Sequence, residues 1–80
     1  MATTLERVQK VTAELLKVPV NKVKPEARFV QDLGADSMQS IELMASFEEE
    51  FGIEMDEAAA LAVKTVGDAV AFIDKIAAAR

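Results

Sequence analysis

Apolar residues recur along this chain mostly at helical spacing, and nowhere does the strict alternation of a β-strand persist. Leu5, Val8, Thr12, Leu15 and Leu16 line one face of a helix running from Thr4 to about Lys17. Thr3 and Glu6 are spaced as a capping box, each able to satisfy an otherwise orphaned backbone N–H. Val18–Asp36 holds both prolines and few helix signals, so it reads as a long ordered connection pinned to a core by Val20, Val23, Phe29 and Leu33. A second helix is expected with Asp36 as N-cap, Gln39 in the reciprocal position, and a stop at Phe51–Gly52. Alanine-rich Glu57–Val63 predicts a short third helix. Thr65 and Asp68 predict another capped start, with Val66, Val70, Ile73 and Ile76 or Ala77 facing inward to about Ala78. The expected fold is all-α: a small four-helix bundle, three longer helices and one short, with a long loop between the first and second.

The second helix carries two apolar stripes. Leu43, Phe47 and Phe51 recur at i, i+4, i+8, while Met38, Ile41 and Ala45 form another stripe about 150° away, with Met44 between them. The aromatic stripe is the better core candidate, because two rings remove more area from water. That leaves the Met38/Ile41/Ala45 side at least partly exposed, flanked by Glu42, Glu48 and Glu49. An apolar strip with an acidic rim has the form of a docking surface; the plainer alternative is that the long loop folds over it.

Charge sharpens this picture. Of the net −5, residues 1–28 contribute six basic and three acidic side chains, and residues 64–80 three basic and two acidic; residues 29–63 hold nine acids and neither Lys nor Arg. Such a block repels nucleic acid and anionic membranes and steers basic protein surfaces toward it, although a solvated acidic face would look the same. Eighty residues suit one domain, 1–80, with a modest core. No apolar run approaches the roughly 20 residues of a membrane span, and "MATTLERVQK" lacks the apolar centre of a signal peptide. Without cysteine there is no disulfide framework, which is compatible with a cytoplasmic location.

With no His and no Cys, Ser–His and Cys–His nucleophile pairs and the standard zinc sets are excluded. Asp32, Gly34 and Asp36 resemble the start of a calcium loop, but the required glycine is missing after Asp36 and Leu43 stands where a glutamate ligand belongs. No metal site, no catalytic residue and no enzyme activity are expected. Ser37 is of another kind. At the first helical position its hydroxyl projects from the helix's positive end, where backbone N–H groups favour a phosphate. It suits modification by an enzyme that brings its own base and metal, though an ordinary helix-start serine would occupy the same place.

"DLGADSMQSIELMASFEEEFGIEM" closely resembles the signature region of acyl carrier proteins, the small acidic carriers of fatty-acid and polyketide synthesis. "LGADS", the following "IEL" and "EEEFGIE" match in order and spacing. The likeness extends to "KTVGDAV" and to the upstream "F…DLG", so it covers almost the whole chain. The resemblance implies that Ser37 takes phosphopantetheine from coenzyme A through a phosphopantetheinyl transferase, with Asp36 beside it in the recognised motif. It further implies an acyl pocket drawn from Met44, Phe47, Ile53, Ala59 and Leu61. Basic patches of acyltransferases, ketosynthases and other acyl-processing enzymes would meet Asp36, Glu42, Glu48 and Glu49, with Met38, Ile41 and Ala45 as the apolar part. A monomer is expected. Three departures stand out: Met38 where leucine is usual, Gln39 where an acid is common, and the nearly neutral "EAAALAV" in a helix that is often acidic. Two alternatives remain: an aminoacyl or peptidyl carrier, against which "GADS" argues, and a non-carrier helical interaction module.

Overall fold

A computed structural model describes residues 2–78. Its helices are α1 (Thr4–Leu16), α2 (Ser37–Phe51), α3 (Glu57–Ala62) and α4 (Val66–Ala78), with one 3-10 turn at Val20–Lys22. No strand occurs among the described residues; Arg28 and Thr65 form one isolated bridge.

Each long helix begins where its caps dictate. Glu6 N–H donates to Thr3 Oγ1 at 3.1 Å and Thr3 N–H to Glu6 Oε1 at 3.0 Å, so α1 opens with a complete capping box. Thr65 and Asp68 repeat the arrangement at α4. Two backbone N–H groups, of Thr65 and Lys64, donate to the Asp68 carboxylate and hold its pKa below the usual carboxylate range. Gly52 ends α2 in the left-handed conformation at φ 63°, and Lys17 ends α1 in the same region at φ 57° without glycine's freedom.

The bundle is three-helical in its packing. Helix α1 lies against both α2 and α4, whereas α3 packs on α2 alone to any extent. The expected four-helix bundle is corrected on this point: the fourth member is a six-residue stretch, not a wall of the bundle. It is capped by Asp56, whose Oδ1 accepts from Ala59 N–H at 3.1 Å, and it stops at Val63, whose backbone is extended. Its alanines offer too little apolar area to hold a longer element in place.

Val8, Thr12, Leu43, Phe47, Val66, Ala69 and Ile73 meet at the centre, with Val23, Ala27 and Phe29 added from the long connection. The Phe29 and Phe47 rings lie tilted with centroids 6.2 Å apart. Two polar clamps close the outside. Arg7 pairs with Glu50 at 2.8 Å, donates to the Glu50 carbonyl, and places its guanidinium 4.3 Å above the Phe51 ring. Thr4 Oγ1 donates to Asp74 at 2.7 Å, joining α1 to α4. Val20 departs from the expected loop anchors, being 54% exposed. The anchoring falls to Val23, which is buried and whose carbonyl accepts from Gln9 Nε2 at 2.8 Å.

Candidate functional site

The connection from residue 25 to residue 36 is a tied frame that delivers the start of α2. Arg28 and Asp32 close its first turn. Arg28 N–H donates to Asp32 Oδ2 at 2.8 Å, and the guanidinium spans both carboxylate oxygens at 3.0 and 3.1 Å. The side-chain hydrogen bonds from Arg28, then its backbone N–H, hold the Asp32 carboxyl below its ordinary range. Gly34 adopts φ 75°, a conformation that L side chains rarely take, and its N–H donates to the Val30 carbonyl. Ala35, 2% exposed, is seated in the core and donates to the Phe29 carbonyl at 2.9 Å. Three further backbone bonds fasten the frame to the α3–α4 junction: Phe29 N–H to Lys64 O, Val66 N–H to Ala27 O, and Gly67 N–H to Pro25 O.

Out of this frame the chain turns into α2. Asp36 is extended, its Oδ1 accepts from Gln39 N–H at 2.8 Å, and its own N–H donates to Gln39 Oε1 at 3.1 Å. Ser37 is the first helical residue and is exposed. The N–H groups of Ser37 and Met38 have no intrahelical carbonyl to pair with, so the helix presents its positive end beside the Ser37 hydroxyl. A Cβ built on Gly34 would meet nothing within 4 Å, so the space beside Gly34 is open.

The chain's other hydroxyls are either hydrogen-bonded or withdrawn from the surface. Those of Thr3 and Thr65 cap helices, Thr4 donates to Asp74, and Ser40 donates to the Asp36 carbonyl. Thr12 is fully buried and Ser46 half-buried. Ser37 alone combines exposure with an Oγ that no hydrogen bond engages among the described residues. An accessible alcohol beside orphan N–H groups fits a phosphate ester. It has no base of its own, because the chain contains no histidine.

Around Ser37 the remaining residues separate into a surface and a cleft. Met38 and Ile41 are 70% and 69% exposed, so the long loop does not cover the second stripe of α2. Ala45, Asp36, Glu42 and Glu49 are also exposed. Glu48 differs from them: it is half-buried, and its Oε2 accepts from Met55 N–H at 3.0 Å, tying α2 to the connector that follows it. A cleft of about 300 Å³ opens between α2, the 29–31 segment and the α3–α4 junction. Phe29, Leu43, Met44, Phe47, Met55 and Val63 give it apolar walls, with Gln31, Ser40 and Lys64 among its polar lining. Ser40 lies one helical turn from Ser37, about 4.5 Å along the axis. Two other clefts lie along α1, one lined by Val11, Glu14, Leu15, Ser46, Glu49 and Glu50, the other among Glu6, Arg7, Lys10, Glu14 and Glu50; neither is lined by Ser37 or by the α3–α4 junction.

Of the five residues assigned to an acyl pocket, Met44 and Phe47 line this cleft. Ile53 and Ala59 are buried in the core cluster without reaching it. Leu61 is 77% exposed and is corrected to the outer side of α3, since so short a helix buries one side only, with Ala59 on it. Phe29, Leu43, Met55 and Val63 were not in the sequence-derived set. Phe29 and Val63 belong to segments distant from α2 in the chain, and helix periodicity carries no signal for that meeting.

No helix among the described residues is long and apolar enough to cross a membrane, and none of their carboxylates gather into a metal-holding group. Residues 6–73 match the family model described as the phosphopantetheine attachment site, a span that contains the whole frame, the start of α2 and the cleft. Covalent phosphopantetheine is the defining cofactor of that family, whose members are generally carriers and not catalysts. The chain therefore belongs to the phosphopantetheine attachment site family and is a carrier protein of the acyl carrier type.

Proposed function

We propose that Ser37 is the attachment residue and that the chain carries acyl intermediates of fatty-acid or related lipid and polyketide synthesis. The observation that carries this reading is the isolation of Ser37: it is the chain's one exposed hydroxyl without a hydrogen bond among the described residues, set at the positive end of α2. In the loading step the Ser37 oxygen bonds to the phosphorus of coenzyme A that bears pantetheine. The bond from that phosphorus to adenosine 3′,5′-bisphosphate breaks, and the hydroxyl proton passes to a base of the transferase. The arm, when attached, supplies a terminal thiol that holds acyl groups as thioesters.

The protein's own residues hold and present. Glu42, Glu49 and Asp36 steer basic partner surfaces, and Met38, Ile41 and Ala45 supply the apolar contact once they meet. Those partners are the transferase, acyltransferases, ketosynthases and other acyl-processing enzymes. An electrostatic encounter over a small apolar patch is fast and salt-sensitive, which suits a carrier that must leave one enzyme for the next. The apolar cleft beside Ser40 shelters the chain end between visits. It works as a single-domain, monomeric, cytoplasmic protein, and its tether raises the cargo's effective concentration at each docked site.

Incubation with coenzyme A, magnesium and a phosphopantetheinyl transferase should add one phosphopantetheinyl group to the native chain and none to Ser37→Ala. The loaded protein should then accept acyl donors in preference to amino-acid donors. Preferential aminoacylation would instead assign it to peptide synthesis, and no mass gain would leave a helical interaction module.

A further inference from the structure

Four hydrogen bonds converge on Asp36, the residue immediately before Ser37. Its N–H donates to Gln39 Oε1 at 3.1 Å, its Oδ1 accepts from Gln39 N–H at 2.8 Å, and its carbonyl accepts from Ser40 Oγ at 3.0 Å and Ser40 N–H at 2.9 Å. Only the first of these depends on the identity of residue 39. The Gln39 amide is therefore what fixes the Asp36 peptide from outside the helix, on the side from which the chain leaves Ala35. Upstream, Ala35 is already seated in the core and bonded to Phe29. The short span that carries Ser37 is thus held at both ends, and Gln39 supplies the side-chain acceptor for the Asp36 N–H.

We infer that Gln39 is a positioning residue for phosphopantetheinylation: acting through Asp36, it fixes the Ser37 hydroxyl in the orientation from which it attacks coenzyme A. This rests on Ser37 being the attachment residue. Gln39 is half-buried and its acceptor oxygen is committed to its own helix, whereas Met38, Ile41 and Glu42 are exposed for partner contact. Gln39 therefore acts on the chemical step and not on docking. Holding a reacting group in its attack geometry lowers the barrier without changing how tightly the carrier binds.

The experiment is steady-state transfer from coenzyme A, with magnesium and a phosphopantetheinyl transferase, to the native chain, Gln39→Ala, Gln39→Glu and Ser37→Ala. Alanine is the best helix former, so its effect cannot come from helix propensity. Glutamate restores the acceptor and, being acidic, also suits a helix start. For Gln39→Ala the expected result is a kcat about fivefold lower, with an unchanged KM for the carrier. Gln39→Glu should return kcat to the native value. Amide exchange at Asp36 in the unmodified proteins, which needs no transferase, should be faster in Gln39→Ala and native-like in Gln39→Glu. A native kcat in Gln39→Ala overturns the inference, as does a change confined to KM or a failure of Gln39→Glu to restore the rate. If the native chain gains no group, or Ser37→Ala gains one, the attachment reading falls and the inference falls with it.

Discussion

Thr12 presents a direct test of the packing. It lies on α1, is fully buried, and its Oγ1 has no hydrogen-bond partner among the described residues. A buried hydroxyl left unpaired costs about 1–3 kcal/mol. Thr12→Val replaces that hydroxyl with a methyl of nearly the same shape, in a helix where the two residues have similar propensity. Stability should rise by about 1–2 kcal/mol. For a domain of this size each kcal/mol moves Tm by about 4–8 °C, so thermal unfolding followed by circular dichroism should show a gain of at least about 4 °C. Thr12→Ser keeps the hydroxyl and removes the methyl, so it should unfold below the native protein. An unchanged or lower Tm in Thr12→Val would refute the reasoning, because it would mean that Oγ1 is satisfied in the folded protein.

Other outcomes follow from the caps, the acidic face and the cleft. Asp68 has a depressed folded-state pKa, so its contribution to stability is present at neutral pH and is lost as pH falls below about 4. Asp68→Asn should be less stable than the native chain at pH 7, and the gap should close in acid unfolding titrations below that pH. Joint reversal of Glu42 and Glu49 to lysine should weaken binding to a basic partner enzyme at least tenfold at low salt, with the difference shrinking at 0.5 M salt; this is read by titration calorimetry. An octanoyl group on the arm should raise Tm by burying methylenes worth about 0.8 kcal/mol each in the cleft. Met44→Trp, which fills the cleft from its wall, should remove most of that gain while costing the unloaded protein about 1–3 kcal/mol.

The local features of this protein were legible in its sequence because they depend on neighbours three or four residues apart. The Thr3/Glu6 box, the Asp36/Gln39 box and the stop at Gly52 are all of this kind. So is the exposure of Met38 and Ile41, which followed from the larger area of the opposite aromatic stripe. What was not legible depends on distant segments meeting. Nothing near Val20 announced that Gln9 would tie down Val23 instead, leaving Val20 outside. The Phe29 and Val63 walls of the cleft arise from bonds such as Phe29 N–H to Lys64 O, between residues far apart in the chain. The bond from Met55 N–H to Glu48 was equally silent, because it spans a turn whose geometry no periodicity describes. The buried, unpaired Thr12 hydroxyl looked like an ordinary member of a helical stripe.

The central claim is that the exposed Ser37 oxygen is where the arm is attached. Between Arg28 and Lys64 the chain has no lysine or arginine, so trypsin should release Phe29–Lys64 as one peptide holding Ser37, Ser40 and Ser46. Fragmentation of that peptide after transfer from coenzyme A should place a single phosphopantetheinyl group on Ser37. Finding the group on Ser40 or Ser46, or finding the peptide unmodified, would contradict the account.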